Sequence, residues 1–152
     1  MGARDVLRGP SDWSPAEREL LAAFVSRLNT WCFCVGIHTG TATIGLGTPI
    51  TAEMLDGWRE AEFTSNIKAG FGLLEAVGSD PDGPHDAAVA TARASVLSES
   101  AIIDAIAVAF VFNLINRLAD AFDYSWGDED GRLAAARALH RLAYKVPSFI
   151  LA

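Results

Sequence analysis

Apolar side chains recur every three or four residues along most of the chain, which is the spacing of one helix face. Ser14, followed by Pro15 and Glu17, predicts a helix start with Ser14 as the N-cap. Five apolar residues then repeat at helical spacing: Leu20, Leu21, Phe24, Val25 and Leu28. Since no segment has the clean period-two alternation of a strand, the pattern predicts an all-α protein.

Breaks in the apolar repeat divide the rest of the chain into further helices. They are predicted over residues 31–46, 51–62, 66–77, 86–95, 99–121 and 132–145. Thr30 and Ser98 are the expected N-caps of the helices that follow them, and Gly47 and Pro147 are expected stops. Residues 78–84 predict a loop and residues 124–131 a polar connection. We expect about six to seven helices in a single domain over residues 1–152, because neither half shows a separate core.

The second predicted helix is unusually rich in small residues, among them Gly36, Gly40 and Gly45. Glycine costs up to about 1 kcal/mol in a helix interior. Several glycines in one helix therefore indicate that another element packs closely against it.

Composition excludes several classes of protein. The 152 residues are 51% hydrophobic and 20% charged, which excludes a disordered chain. The net charge of −7 makes a nucleic-acid partner unexpected. The longest apolar run covers residues 105–112, whereas a membrane-spanning helix needs about 20 residues. We therefore expect no membrane partner, and we interpret that run as a helix in a protein core or a subunit interface.

Both cysteines of the chain lie in one short segment, which carries the candidate chemistry. The first residues of the chain lack the apolar block of a signal peptide, so we expect a cytoplasmic protein, where paired cysteines favour redox chemistry or metal binding. Cys32 and Cys34 lie in the first turn of a predicted helix, where the helix dipole favours a thiolate and predicts a lowered pKa for Cys34. His38 shares a face with Cys34, four residues earlier. If the first two helices pack antiparallel, Glu19 approaches His38 and completes a proton relay.

Other interpretations of these residues remain open at this point. Glu19 and His38 could be the acid–base pair of a non-redox enzyme acting on a small organic acid such as a lactone, with incidental cysteines. Cys32, Cys34 and His38 could ligate a metal if the helix began irregularly. The chain could also be a catalytically impaired helical assembly protein.

Two stretches of the chain resemble the AhpD-like alkylhydroperoxidases of the carboxymuconolactone decarboxylase superfamily. The first runs from Glu19 through Cys34 to His38 and Thr39, within residues 14–47; the second lies within residues 97–121 and ends in Asn113, Asn116, Arg117 and Asp120. The resemblance implies an AhpD-like helical fold that forms a homo-oligomer, a trimer or hexamer. It also implies reduction of a peroxide or a related small organic substrate, without a cofactor or metal, by an external thiol or dithiol.

The resemblance also assigns roles to individual residues. Cys34 matches the peroxidatic cysteine, and His38 and Glu19 match the proton relay. The first cysteine of the family's Cys-x-x-Cys pair would stand at position 31, which is Trp31 here. Cys32 is one residue late, on another side of the helix, so we expect it to resolve the Cys34 sulfenic acid poorly.

Two further groups of residues are interpreted structurally. We expect Asn113 and Asn116 to form a polar network between helices or subunits, with Arg117 pairing with Asp120 one turn on. Three tryptophans are expected to be packing anchors: Trp13, Trp58 and Trp126.

Overall fold

The computed structural model describes residues 2–79, 85–124 and 128–145 of the chain. Within these ranges there are eight helices and no strand, which confirms the all-α prediction. The helices are α1 (Ala3–Arg8), α2 (Pro15–Leu28), α3 (Cys32–Leu46), α4 (Ala52–Asp56), α5 (Ser65–Ser79), α6 (Asp86–Ala94), α7 (Glu99–Ala121) and α8 (Glu129–Leu142).

Two predicted helix caps are confirmed. The Ser14 hydroxyl accepts a hydrogen bond from the Glu17 amide at 3.2 Å, and the Glu17 carboxylate accepts one from the Ser14 amide at 2.8 Å. At the start of α7 the Ser98 hydroxyl accepts from the Ala101 amide at 3.0 Å. Local hydrogen bonding therefore sets the first residue of both helices, as the sequence indicates.

Other predicted boundaries are wrong. Thr30 does not cap α3: it lies at a φ of 57°, its hydroxyl donates to the Asn29 carbonyl, and Trp31 is the N-cap. The helix predicted over residues 51–62 ends at Asp56, while α5 continues through residues 78 and 79 of the predicted loop. α8 begins three residues early because the Asp128 carboxylate accepts from the Gly131 amide.

Some predictions lie outside the described residues, and one helix was not predicted. The remainder of the predicted loop (residues 80–84), Trp126 and the Pro147 stop are outside the described ranges. The helix without a prediction is α1, whose six residues are too few for a periodic apolar pattern to be visible.

α2 is the central helix of the bundle. It packs against α1, α3, α4, α5 and α7. The ring of Phe24 stacks on Phe71 with centroids 4.0 Å apart, and Trp58 meets Phe24 edge-on. Trp13 is buried and its indole N–H donates to the Ala101 carbonyl at 2.8 Å. Trp13 and Trp58 are thus packing anchors, as predicted.

The glycines of α3 allow two neighbouring helices to approach closely. A Cβ on Gly36 would lie 2.7 Å from Cδ of Arg132, and one on Gly40 would lie 3.0 Å from Cβ of Ala136, both on α8. The close packing predicted from these glycines is confirmed. Gly36 and Gly40 allow α8 to approach α3, and Gly45 allows α2 to do so.

α7 has one buried face and one exposed apolar face. The buried face packs against α1, α2, α5 and α6. The exposed apolar residues of α7 follow a helical repeat: Ile103, Ile106, Phe110, Leu114 and Leu118. Judged by length and composition α7 could cross a membrane, but 44% of its most apolar stretch is buried inside the protein. A single such helix is weak evidence for a membrane span, since the core helix of a soluble bundle has the same character.

Candidate functional site

Glu19 and His38 meet in the protein interior. His38 Nδ1 lies 2.6 Å from Glu19 Oε2, and the two residues are 5% and 1% exposed. The short turn between α2 and α3 folds them side by side, so the predicted approach of Glu19 to His38 is confirmed. The imidazole also lies edge-on to Phe112, with ring centroids 4.6 Å apart. These contacts fix the orientation of the imidazole.

Two residues of this site were missed by sequence reasoning. Arg8 Nη2 lies 2.5 Å from Glu19 Oε1, and the Tyr144 hydroxyl donates to Glu19 Oε2 at 3.2 Å. The Arg8 guanidinium also lies 5.0 Å from the centre of the Tyr144 ring. Both residues lie far from Glu19 in the chain, and neither belongs to the two stretches that carry the resemblance to the AhpD-like family, so the sequence did not assign them to the site.

α1 is held in place by a buried arginine. Arg18 is 3% exposed, and its Nη1 donates to the Val6 carbonyl at 3.1 Å and to the Gly9 carbonyl at 2.9 Å. Burial lowers the pKa of Arg18, and the nearby charge of Arg8 lowers it further. By holding the end of α1, Arg18 sets the position from which Arg8 reaches Glu19.

The surroundings of Glu19 keep its carboxylate ionised. Burial alone would raise its pKa, because desolvation disfavours the charged form. Interactions with His38, and then with the Arg8 guanidinium, outweigh burial and lower the pKa of Glu19. Both carboxylate oxygens therefore have partners, and the group is suited to hold the imidazole in one orientation.

Cys34 is buried, and this overturns the predicted lowering of its pKa. It is the third residue of α3 and is 4% exposed. Desolvation raises the pKa of the Cys34 thiol to about 12, so a position at the start of a helix does not give Cys34 a lowered pKa. Within the described part of the chain, no hydrogen bond joins the thiol to His38 or Glu19. The common helix face of Cys34 and His38 nevertheless places them about one turn apart.

Cys32 points to a different environment. It is the first residue of α3, exposed, and not bonded to Cys34; both cysteines are free thiols. It lines a cavity of about 580 Å³ between α3 and α8, which also contains Arg27, Arg132 and Arg137. The structure therefore separates the two cysteines into an inner and an outer thiol.

The alternative of a metal site finds no support in the described ranges of the chain. No group of three or more His, Cys, Asp or Glu side chains is placed there so that it could hold a metal ion. Because α3 is regular from Cys32 onward, Cys32 and Cys34 lie on opposite sides of the helix, and the irregular start that a shared metal ion requires is missing.

The polar residues of α7 form part of the predicted network. Asn113 Oδ1 accepts from Asn29 Nδ2 at 3.0 Å, and the Asn116 side-chain amide lies 3.2 Å from the hydroxyl of Ser26, which itself donates to the Ala22 carbonyl. The expected pairing of Arg117 with Asp120 is wrong, since neither forms an ion pair among the described residues. Both side chains are exposed, where such a pair gains little stability.

Comparison with solved structures gives a structural likeness. No model of a known protein family matches the sequence, and no curated protein matches it. The fold is similar to the crystal structure of an uncharacterized peroxidase-related protein from Silicibacter sp. TM1040, with a TM-score of 0.73 and 25% sequence identity. The match covers 80% of this chain and 64% of the other. This likeness is consistent with an AhpD-like helical fold.

Proposed function

We propose that the protein is a thiol-dependent hydroperoxide reductase, with Cys34 as the peroxidatic thiol and Glu19 and His38 as its proton relay. The observation that carries the proposal is the buried Glu19–His38 contact of 2.6 Å, one helical turn from a buried cysteine. The peroxidase-related neighbour supports the same class of reaction.

The first step is oxidation of Cys34. Its sulfur attacks one peroxide oxygen of ROOH, the O–O bond breaks, and the products are a Cys34 sulfenic acid and the alcohol ROH. The thiol proton passes to His38 and then to the departing alkoxide. Because burial holds the pKa of Cys34 near 12, the resting sulfur is a thiol. Proton transfer to the imidazole therefore accompanies attack rather than preceding it.

Glu19 supports this transfer electrostatically. An ionised carboxylate at 2.6 Å from Nδ1 stabilises the imidazolium that forms when His38 takes the proton. Arg8 offsets part of that charge and holds the carboxylate in place. Arg8 and Tyr144 are thus positioning residues, which act on the reaction through Glu19.

An external thiol or dithiol completes the cycle. A first thiol R′SH condenses with the sulfenic acid, releasing water and leaving a mixed disulfide on Cys34. A second thiol attacks that disulfide, releasing R′SSR′ and regenerating the Cys34 thiol. Cys32 would be a poor internal resolving residue, because it begins α3 on the exposed side.

The test is to count free thiols before and after one equivalent of hydrogen peroxide. We expect peroxide-dependent thiol loss in the native protein, abolition in Cys34→Ser, and a smaller reduction in the matched variant Cys32→Ser. Trp31→Cys should speed disulfide formation within one chain, because it restores the three-residue step. Rapid and complete formation of a Cys32–Cys34 disulfide, seen by non-reducing mass spectrometry, would show that Cys32 resolves efficiently.

The raised pKa of Cys34 favours a second candidate, a non-redox enzyme that acts on a small organic acid such as a lactone. Glu19 and His38 would then act as an acid–base pair and the cysteines would be incidental. The thiol count separates the two functions: unchanged thiols after peroxide would support the non-redox enzyme, or an impaired assembly protein.

We also propose that the protein self-associates in the cytosol. A second copy of the chain is the proposed partner of the exposed face of α7, where Phe110 is 67% exposed, Ile103 63% and Leu114 55%. Contiguous exposed apolar surface is typical of protein interfaces. We expect sedimentation to give a trimer or hexamer, and Phe110→Glu to give monomers.

A further inference from the structure

The cavity between α3 and α8 lies apart from the Glu19 site and has both apolar and cationic side chains in its lining. Its volume of about 580 Å³ is within the range of small-molecule sites. Glu19, Cys34 and His38 do not line it. Four of the side chains that do are large and apolar: Val35, Ile44, Ile50 and Leu133. The cavity can therefore hold an organic molecule with an apolar body.

The charged groups in this lining are all of one sign. Among the described residues that form it there are three arginines, Arg27, Arg132 and Arg137, and no aspartate or glutamate. The chain as a whole has the opposite balance, with 19 acidic and 12 basic residues. A cleft with low-dielectric walls and one sign of charge concentrates ions of the other sign. The cavity therefore favours an anion.

Two of the arginines are held in place by carboxylates that do not line the cavity. Arg27 donates to both oxygens of Asp56, at 2.6 and 2.8 Å, and Arg132 pairs with Glu129. Arg132 Nη1 also donates to the Gly36 carbonyl at 2.6 Å, which fixes the guanidinium against α3. Groups that are already ordered lose little conformational entropy when a ligand binds beside them.

Arg137 carries the positive charge that no carboxylate offsets. It is exposed on α8 and forms no ion pair with any described residue. Arg132, Leu133, Ala136 and Arg137 all line the cavity, because their spacing places them on the side of α8 that faces α3. Since Arg27 and Arg132 are already paired, one positive charge remains, and it matches a ligand with one negative charge.

We propose that this cavity binds a small organic carboxylate with an apolar body. The carboxylate would pair with Arg137, and the apolar body would lie against Ile44 and Leu133. Cys32 is exposed and lines the same cavity, so a ligand that fills the cavity covers its thiol. This binding requires neither the Cys34 thiol nor the Glu19–His38 pair, so it can fail or hold independently of the proposed function.

The test measures how sodium 2-naphthoate slows the alkylation of Cys32 by iodoacetamide at constant pH and ionic strength. Mass spectrometry of the native full chain follows the fast alkylation phase, which is assigned to Cys32 by its loss in Cys32→Ser. We expect the rate of this phase to fall saturably as naphthoate is added, and the half-saturation gives the affinity. The neutral analogue 2-naphthamide has the same rings and should bind about tenfold more weakly, as expected for a lost charge-assisted hydrogen bond.

Two matched variants decide the outcome. Arg137→Gln should weaken naphthoate binding about tenfold, because the charged partner is lost. Arg117→Gln on α7 removes the same charge from another exposed position, outside the cavity, and should leave the affinity unchanged. The absence of saturable protection would overturn the proposal. So would equal protection by 2-naphthamide or sodium sulfate, unchanged affinity in Arg137→Gln, or an equal loss of affinity in both variants.

Discussion

The two faces of α3 give neighbouring residues opposite environments. The inner face, which includes Cys34, His38 and Thr41, is buried. The outer face, which includes Cys32 and Gly36, borders the cavity toward α8. Residues two apart in a helix are separated by about 200° of rotation, so the two cysteines cannot share an environment.

This difference shows that helix position alone does not decide the reactivity of a cysteine. Cys32 and Cys34 both lie in the first turn of α3, where the dipole favours thiolates. Cys32 is exposed, whereas Cys34 is buried, and burial raises the pKa of Cys34 to about 12. A position at a helix start is therefore not sufficient to lower the pKa of a thiol.

The largest expected difference between the two faces is in thiol alkylation. With a pKa of about 12, roughly one Cys34 side chain in 10⁴ is a thiolate at pH 8. We therefore expect iodoacetamide to modify Cys32 about 10³ times faster, or more, than Cys34 at that pH. Following Cys34→Ser and Cys32→Ser separately by mass spectrometry isolates each thiol. Equal rates would mean that the inner face is open to solvent.

Removal of the inner carboxylate should cost the most stability. Glu19→Ala leaves Arg8 and His38 without their buried partner, for which a loss of about 3–5 kcal/mol is typical. The matched control is Asp56→Ala, which breaks the exposed Arg27–Asp56 ion pair and should cost about 1 kcal/mol or less. The midpoint of urea unfolding measures both. If the two variants lose similar amounts of stability, then Glu19, Arg8 and His38 do not form a buried network.

Alanine substitutions at two glycines of α3 test how tightly its two sides are packed, since Gly45 faces α2 and Gly40 faces α8. A Cβ on Gly45 would lie 2.7 Å from Cβ of Ala16 on α2, closer than the 3.0 Å between a Cβ on Gly40 and Ala136. We expect Gly45→Ala to cost about 1–3 kcal/mol through overpacking, and Gly40→Ala to cost less.

Gly72 in α5 is the control for these substitutions, since its Cβ would meet Trp58 at an ordinary 3.5 Å. Gly72→Ala should be neutral or stabilising by up to about 1 kcal/mol, because alanine favours the helix. If unfolding measurements show that Gly40→Ala is less stable than Gly45→Ala, the expected order of packing tightness is wrong.

The smallest expected effect is the change in the contribution of Glu19 to stability at acidic pH. The folded-state pKa of Glu19 is below its ordinary value, so its contribution to stability is present above the unfolded pKa of about 4.3 and is lost as the pH falls through the folded pKa. The stability difference between the native protein and Glu19→Gln should therefore shrink below pH 4.3, by at most about 1.4 kcal/mol per pH unit. Surface carboxylates contribute equally to both proteins. A constant difference down to pH 3 would contradict the lowered pKa.

Several features could be predicted from the sequence because they depend on neighbouring residues. The apolar repeat sets the helices, and the Ser14 and Ser98 caps are formed with amides only three residues away. The four-residue step from Cys34 to His38 places both on one helix face, and the short turn before α3 brings α2 beside it. The Glu19–His38 contact follows from these local rules.

The remaining features depend on segments that are distant in the chain. Arg8 and Tyr144 reach Glu19 from opposite ends of the chain. The pKa of Cys34 depends on how completely other helices exclude water from it. The sequence by itself determined which residues share a helix face. Only the tertiary structure decided which side chains are buried and what they meet, because desolvation and pairing depend on every element packed around a group.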